Sequence, residues 1–166
     1  INQPKSDLSV VKDTFTWITN CSHVREAPYQ VDFKATDDHP EVKLTSFESV
    51  DIKVLAPAPE NLQITPSNRD MTLKWDESAC APAEGYNIYR RKNPSGFTPD
   101  SCQTGVPDSA GFTKIAEVDG VNTTSFVDDN DQEGLWQGVR YCYRVTARFP
   151  DGAESYASEE VCDVLV

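Results

Sequence analysis

Tyr141, Tyr143, Val145 and Ala147 alternate with Cys142, Arg144, Thr146 and Arg148, and Pro150-Asp151-Gly152 follows at once. A period of two is that of a strand with one buried face. Gly152 supplies the positive φ that a tight hairpin turn demands. Such a strand commits the chain to antiparallel β structure, and residues 57–166 repeat the pattern. Leu62 and Ile64 alternate before Pro66-Ser67-Asn68; Met71, Leu73 and Trp75 alternate next; Tyr86 and Ile88 follow Gly85. Phe112, Ile115 and Val118 mark a further strand, Phe126 another, and a last one is expected from Tyr156 to Val166. Seven strands separated by turn signals predict two packed antiparallel sheets.

Composition agrees. Eleven prolines and eight glycines stand against a single methionine, which favours turns over helices. The net charge of −12, from 27 acids and 15 bases, argues against a nucleic-acid partner. No apolar run is long enough to insert in a membrane. The chain starts at Ile1 without a signal-peptide pattern, which is expected of a fragment excised from a longer protein. Leu55-Ala56-Pro57-Ala58-Pro59-Glu60 reads as a stiff linker, because proline neither continues a helix nor donates to a sheet. It divides the chain into residues 1–56, net −3, and residues 57–166, net −9. The count of seven strands in the second part is that of an immunoglobulin-like sandwich.

Leu135, Gly138 and Tyr141 form Leu-x-x-Gly-x-x-Tyr, followed by Tyr143 and Val145, while Trp75 lies in the second strand. This arrangement resembles fibronectin type III domains over about residues 57–166. The resemblance implies that Tyr141 is a tyrosine corner whose hydroxyl bonds upstream backbone, that Leu135 and Trp75 are structural core residues, and that Ser155 or Ser158 belongs to the loop after the sixth strand. Residues 92–111 depart from that pattern as a long insertion.

Five cysteines, Cys21, Cys80, Cys102, Cys142 and Cys162, contain no C-x-x-C pair, so no zinc or other metal site is expected. They read as two disulfides and one remainder in an exported protein; five buried thiols are the alternative. If Tyr141, Tyr143 and Val145 face inward, Cys142 faces out, and reflection through Asp151-Gly152 brings it near Cys162. Cys80 and Cys102 are then expected to pair and tie down the insertion, which would contribute about 3 kcal/mol. Cys21 is left over.

Residues 1–56 show alternation at Phe15/Trp17, at Tyr29/Val31/Phe33/Ala35 and at Val50/Ile52/Val54. Fifty-six residues bury too little apolar surface to stand alone. Pro28-Tyr29-Gln30-Val31-Asp32-Phe33-Lys34-Ala35-Thr36-Asp37 and Asp51-Ile52-Lys53-Val54 resemble the last two strands of cadherin-like domains, which implies a partial second β-sandwich with exposed apolar edges. Asp37 falls where such domains place a calcium ligand. Asp37, Asp38 and Glu41 supply fewer than the six to eight oxygens calcium takes, so no cofactor is expected and an acidic turn is the simpler reading. Asp128-Asp129-Asn130-Asp131 lacks EF-hand spacing and reads as an Asx turn.

No phosphate loop, dinucleotide fingerprint or zinc-protease motif occurs. The two histidines are His23 and His39; a Cys21–His23 pair is geometrically possible but lacks an oxyanion hole, so no catalytic residue is assigned and the chain is not expected to be an enzyme. Arg140, Arg144 and Arg148 share the outward parity of their strand, with Arg91 on its neighbour. They form either a basic binding face or cross-strand pairs with Glu159, Glu160 or Asp163. Trp136 either stacks on a sugar or packs under its loop.

The series running from Phe15-Thr16-Trp17 through Gly85-Tyr86-Asn87-Ile88-Tyr89-Arg90 to Phe149-Pro150-Asp151-Gly152 resembles the large gliding motility-associated surface proteins of Bacteroidetes. That resemblance implies a non-catalytic structural or interaction module, exported and displayed at the cell surface. Its implied partners are neighbouring domains of the same polypeptide, and surface proteins or polysaccharide. A carbohydrate-binding module and an accessory domain of an exported hydrolase are the alternatives.

Overall fold

The computed structural model describes residues 12–166. Nine strands follow in order: β1 (Tyr29–Thr36), β2 (Thr45–Ile52), β3 (Gln63–Ser67), β4 (Asp70–Lys74), β5 (Gly85–Lys92), β6 (Thr113–Asp119), β7 (Ser125–Asp128), β8 (Arg140–Arg148) and β9 (Val161–Val164). Two short 3₁₀ turns, Cys21–His23 and Asp108–Ala110, are the helical pieces among the described residues.

Strands β3–β9 make an all-β, immunoglobulin-like sandwich. One sheet has the order β3-β4-β7 and the other β6-β5-β8-β9, every pair antiparallel. Pro66 lies in β3, an edge strand, where a missing amide donor is tolerated. The inward parity expected from sequence fills the core: Met71, Leu73 and Trp75 from one sheet meet Tyr86, Ile88, Tyr141, Tyr143, Val145 and Ala147 from the other. Trp75 and Tyr86 meet edge to face, ring centroids 5.2 Å apart. The buried Tyr86 hydroxyl accepts from the Ser78 amide and donates to the Val121 carbonyl, so its polar end is satisfied inside an apolar layer. Gly85 has a steric reason: a Cβ there would sit 2.0 Å from the Val118 carbonyl oxygen.

The last strand is shorter than expected, starting at Val161. Before it, Ser155 and Ser158, both buried, follow β8 with their hydroxyls. Ser155 accepts the Ala147 amide at 2.8 Å and Ser158 the Val145 amide at 2.9 Å, while their own amides donate to the carbonyls of the same two residues. Side-chain oxygens thus stand in where strand ladder is interrupted.

Outside the sandwich, β1 and β2 form a two-stranded sheet in register from Tyr29↔Ile52 to Thr36↔Thr45. Phe33, Phe47, Val50 and, in the intervening loop, Val42 and Leu44 are exposed. Asp37 closes that loop: Oδ1 accepts the amides of Leu44 and His39. The strand expected at Phe15–Trp17 is not formed; residues 12–20 run without regular structure. Trp17 packs edge-on against Tyr29 and His23 instead.

Candidate functional site

Three places carry the expected functional residues: the contact between residues 12–28 and the sandwich, the outer face of the four-stranded sheet, and the loop that ends at the tyrosine corner.

At the first, Cys21 is bonded to Cys80, Cα atoms 5.3 Å apart. The expected Cys80–Cys102 bond is not made, and Cys102 stands free and exposed. Asn20 explains the local geometry around Cys21. Its side chain accepts the Ser22 amide, while His23 Nδ1 accepts the Asn20 amide, closing a capping box. Cys21 and Val24 are thereby presented to the sandwich core, against which both pack. A second tie lies alongside: Asp151 Oδ2 accepts the Glu26 amide at 2.7 Å and Oδ1 that of Ala153. These donated hydrogen bonds, the Glu26 amide first, hold the Asp151 carboxyl below its ordinary range. The bond to Cys80 also removes Cys21 as a nucleophile, and the His23 nitrogen is engaged by backbone, so the Cys–His arrangement is not formed.

Cys142 and Cys162 sit directly opposite across β8 and β9 and are joined. Among the described residues, the grouping close enough to suggest a metal is Cys142, Glu160 and Cys162; its sulfurs are spent in this disulfide.

The outer sheet face differs most from expectation. Residues 93–112 cross it as a strap, so Arg144 is only 5% exposed. Its guanidinium donates to the carbonyls of Ser158 and Phe97 and lies 3.4 Å from Glu160; its Cζ lies over the rings of Phe97 and Phe112, 5.5 and 5.9 Å from their centroids. Arg91 donates to the Ala110 carbonyl. Arg148 pairs with Asp119 and Glu84. Of these four arginines, Arg140 alone is exposed. Of the two readings, the free arginine face gives way to pairing, met by Arg144 with Glu160: backbone carbonyls and carboxylates engage the terminal guanidinium nitrogens because the insertion folds back over them, while the buried Nε atoms of Arg144 and Arg148 have no hydrogen-bond partner.

Polar contacts, not a disulfide, hold the strap. Ser95 binds Glu160 through amide and hydroxyl, the Gly105 amide donates to the Ser155 carbonyl, and Tyr156 donates to the Ser101 carbonyl. Beneath it Glu154 accepts from Tyr89 and Thr146. Burial and the adjacent Glu154 carboxylate push the Tyr89 phenol well above its usual range. The roles of Tyr89 and Glu154 were not read from sequence; outward parity marks Tyr89 but does not reveal what covers it.

At the third place the Tyr141 hydroxyl accepts the Trp136 amide at 3.1 Å, and Leu135 is buried. Nearby, Asp128 is buried; its two oxygens share Arg90 Nη1 as donor, Oδ2 also accepts the Tyr143 hydroxyl, and Oδ1 caps the Asn130 amide. The acidic run is thus part ion-pair network and part turn. Burial first, then Asp128, raises the Tyr143 phenol far above its ordinary value. Trp136 itself points outward, 66% exposed, with Lys92 Nζ 4.5 Å from its ring centroid.

No family model and no curated protein matches this sequence. Among solved structures, a myokine is similar at 21% identity and a TM-score of 0.47, over 66% of this chain and 97% of that one. An Fn3-like protein from Clostridium thermocellum is similar at 25% identity and a TM-score of 0.43, over 64% and 91%. The FN1–FN3 domains of chicken CNTN1 are similar at 15% identity and a TM-score of 0.48, over 85% and 44%. The assignment of the sandwich rests on its own strand order. Two disulfides suit an oxidising setting. No helix among the described residues is long and apolar enough to cross a membrane.

Proposed function

We propose that this chain is a non-catalytic structural and interaction module of a large exported cell-surface protein. In this reading residues 1–56 are the C-terminal strands of a cadherin-like domain and residues 57–166 a fibronectin type III domain, as in gliding motility-associated adhesive proteins of Bacteroidetes. The Cys21–Cys80 bond carries the proposal. It fastens the segment before β1 to the loop after β4, so the Ala56-Pro57-Ala58-Pro59 linker between β2 and β3 lies inside a covalent ring. Tension arriving upstream of Cys21 passes to Cys80 without loading that linker.

The β1–β2 sheet supports the same reading. A two-stranded sheet is marginal alone, and its exposed Phe33, Phe47 and Val50 suit burial against further strands of a neighbouring domain. Protease shaving of source cells, followed by immunoblot with antiserum to residues 57–166, tests the display. A very large band lost on shaving is expected. A small, shaving-resistant band would overturn it.

A further inference from the structure

Trp136 is exposed yet held by a rigid frame. Its own amide donates to Tyr141, the Leu135 amide donates to the Arg69 carbonyl at 2.7 Å, and the Gly134 amide donates to Asp129 at 2.7 Å. The buried Leu135 side chain anchors the preceding residue. An indole presented from such a frame is pre-organised for contact, because little backbone freedom remains to be lost on binding. It borders a cleft of about 190 Å³ that Arg90, Lys92, Asn130 and Glu133 also line.

Two observations choose the ligand. The cleft beside Trp136 sets charged or amide-bearing Arg90, Lys92, Asn130 and Glu133 around an apolar floor of Leu135 and Tyr141, whereas a protein hot spot surrounds its tryptophan with apolar contacts that exclude water. One aromatic plate among hydrogen-bonding groups fits a sugar ring, which has an apolar C–H face and a rim of hydroxyls. The second observation is charge. Arg90 is spent on Asp128 and Asn130, but Lys92 rests on the indole and has no carboxylate partner among the described residues. An uncommitted ammonium beside an aromatic plate complements a sugar that carries a carboxylate.

We propose that Trp136 and Lys92 form a subsite for an acidic sugar residue of a polysaccharide, in which the Lys92 ammonium swings off the indole face it now covers to meet the carboxylate while the sugar ring takes its place on the indole. Asn130 and Glu133 offer acceptors to its hydroxyls. The inference goes beyond the display reading and does not depend on it, since shaving tests location and the following titration tests the site.

The full chain is titrated by calorimetry with an alginate oligosaccharide and with a neutral cello-oligosaccharide of equal length. The acidic oligomer is expected to bind more tightly than the neutral one. Trp136→Ala, an exposed truncation that leaves the fold standing, is expected to abolish binding. Lys92→Gln is expected to weaken the acidic oligomer roughly tenfold, the loss of one charge-assisted contact, and to leave the neutral one unchanged. Failure of the acidic oligomer to bind at millimolar concentration, equal binding of both oligomers, or unchanged affinity in Trp136→Ala would each overturn the proposal.

Discussion

Cys21 and Cys80 are 59 residues apart in sequence and joined in space, enclosing both strands of the outlying sheet, the proline linker and the first two strands of the sandwich. The bond makes residues 12–28 an integral part of the sandwich surface. Closing a loop of that length restricts the unfolded chain by about 4 kcal/mol. Replacing both cysteines by serine is expected to lower stability by about that amount in denaturant titration. Residues 12–28 should then become the first site of proteolysis.

The same ring makes a mechanical prediction. Pulled from residue 12 and residue 166, the oxidised chain should unfold without releasing the segment between Cys21 and Cys80. Reduction should add roughly 28 nm of contour length at about 3.5 Å per extended residue, roughly 21 nm of it from the 59-residue Cys21–Cys80 separation and roughly 7 nm from the 20-residue Cys142–Cys162 separation. Equal contour lengths before and after reduction would show that the ring bears no load.

Arg144 is the central anchor of the strap. Arg144→Met leaves the Phe97 and Ser158 carbonyls without their guanidinium donor and Glu160 without its cationic partner, with Ser95 as its remaining donor. A loss of about 3–5 kcal/mol is expected for breaking such a buried pair. Arg140→Met, on the exposed end of the same strand, should change stability by less than about 0.5 kcal/mol. Protease cleavage within residues 93–111 should rise in the first variant and not in the second.

Ser155 and Ser158 are expected to act as backbone substitutes. Each change to alanine leaves a buried amide, of Ala147 or Val145, without its hydroxyl acceptor. The cost should be about 1–3 kcal/mol per site, and hydrogen exchange at those two amides should speed up selectively.

Asp151 and Tyr143 set opposite pH limits. The Asp151 carboxyl lies below its unfolded value of about 3.9, so its contribution is complete above that pH and is lost as pH falls through the folded value. The Glu26 amide resonance should follow this titration and stay flat in Asp151→Asn. Tyr143 lies above its unfolded value of about 10, so its contribution is complete below that pH and is lost as pH rises beyond it. Stability should therefore fall in strong alkali, less steeply in Tyr143→Phe.

Much of the sandwich was legible because strand parity is local. Tyr141, Tyr143, Val145 and Ala147 declare their inner face by alternation, and the Asp151-Gly152 turn brings Cys162 opposite Cys142. The Cys21–Cys80 pair was hidden because nothing local specifies it. It depends on an irregular segment folding back onto the β4–β5 loop. The arginines were legible only in part, as the pairing of Arg144 with Glu160, for a related reason. Alternation tells which side of a sheet Arg144 occupies, but not that Phe97 and Phe112 return to cover that side. Guanidinium groups accept burial where carbonyls of an irregular loop surround them, and irregular backbone has no period to read.

Mass-spectrometric disulfide mapping of the protein purified from source cells, alkylated before lysis, tests the central claim most directly. The account predicts Cys21–Cys80 and Cys142–Cys162 linked peptides, with Cys102 alone alkylated. A Cys80–Cys102 peptide would contradict the covalent ring, and alkylation of all five cysteines would contradict both the ring and the exported setting built on it.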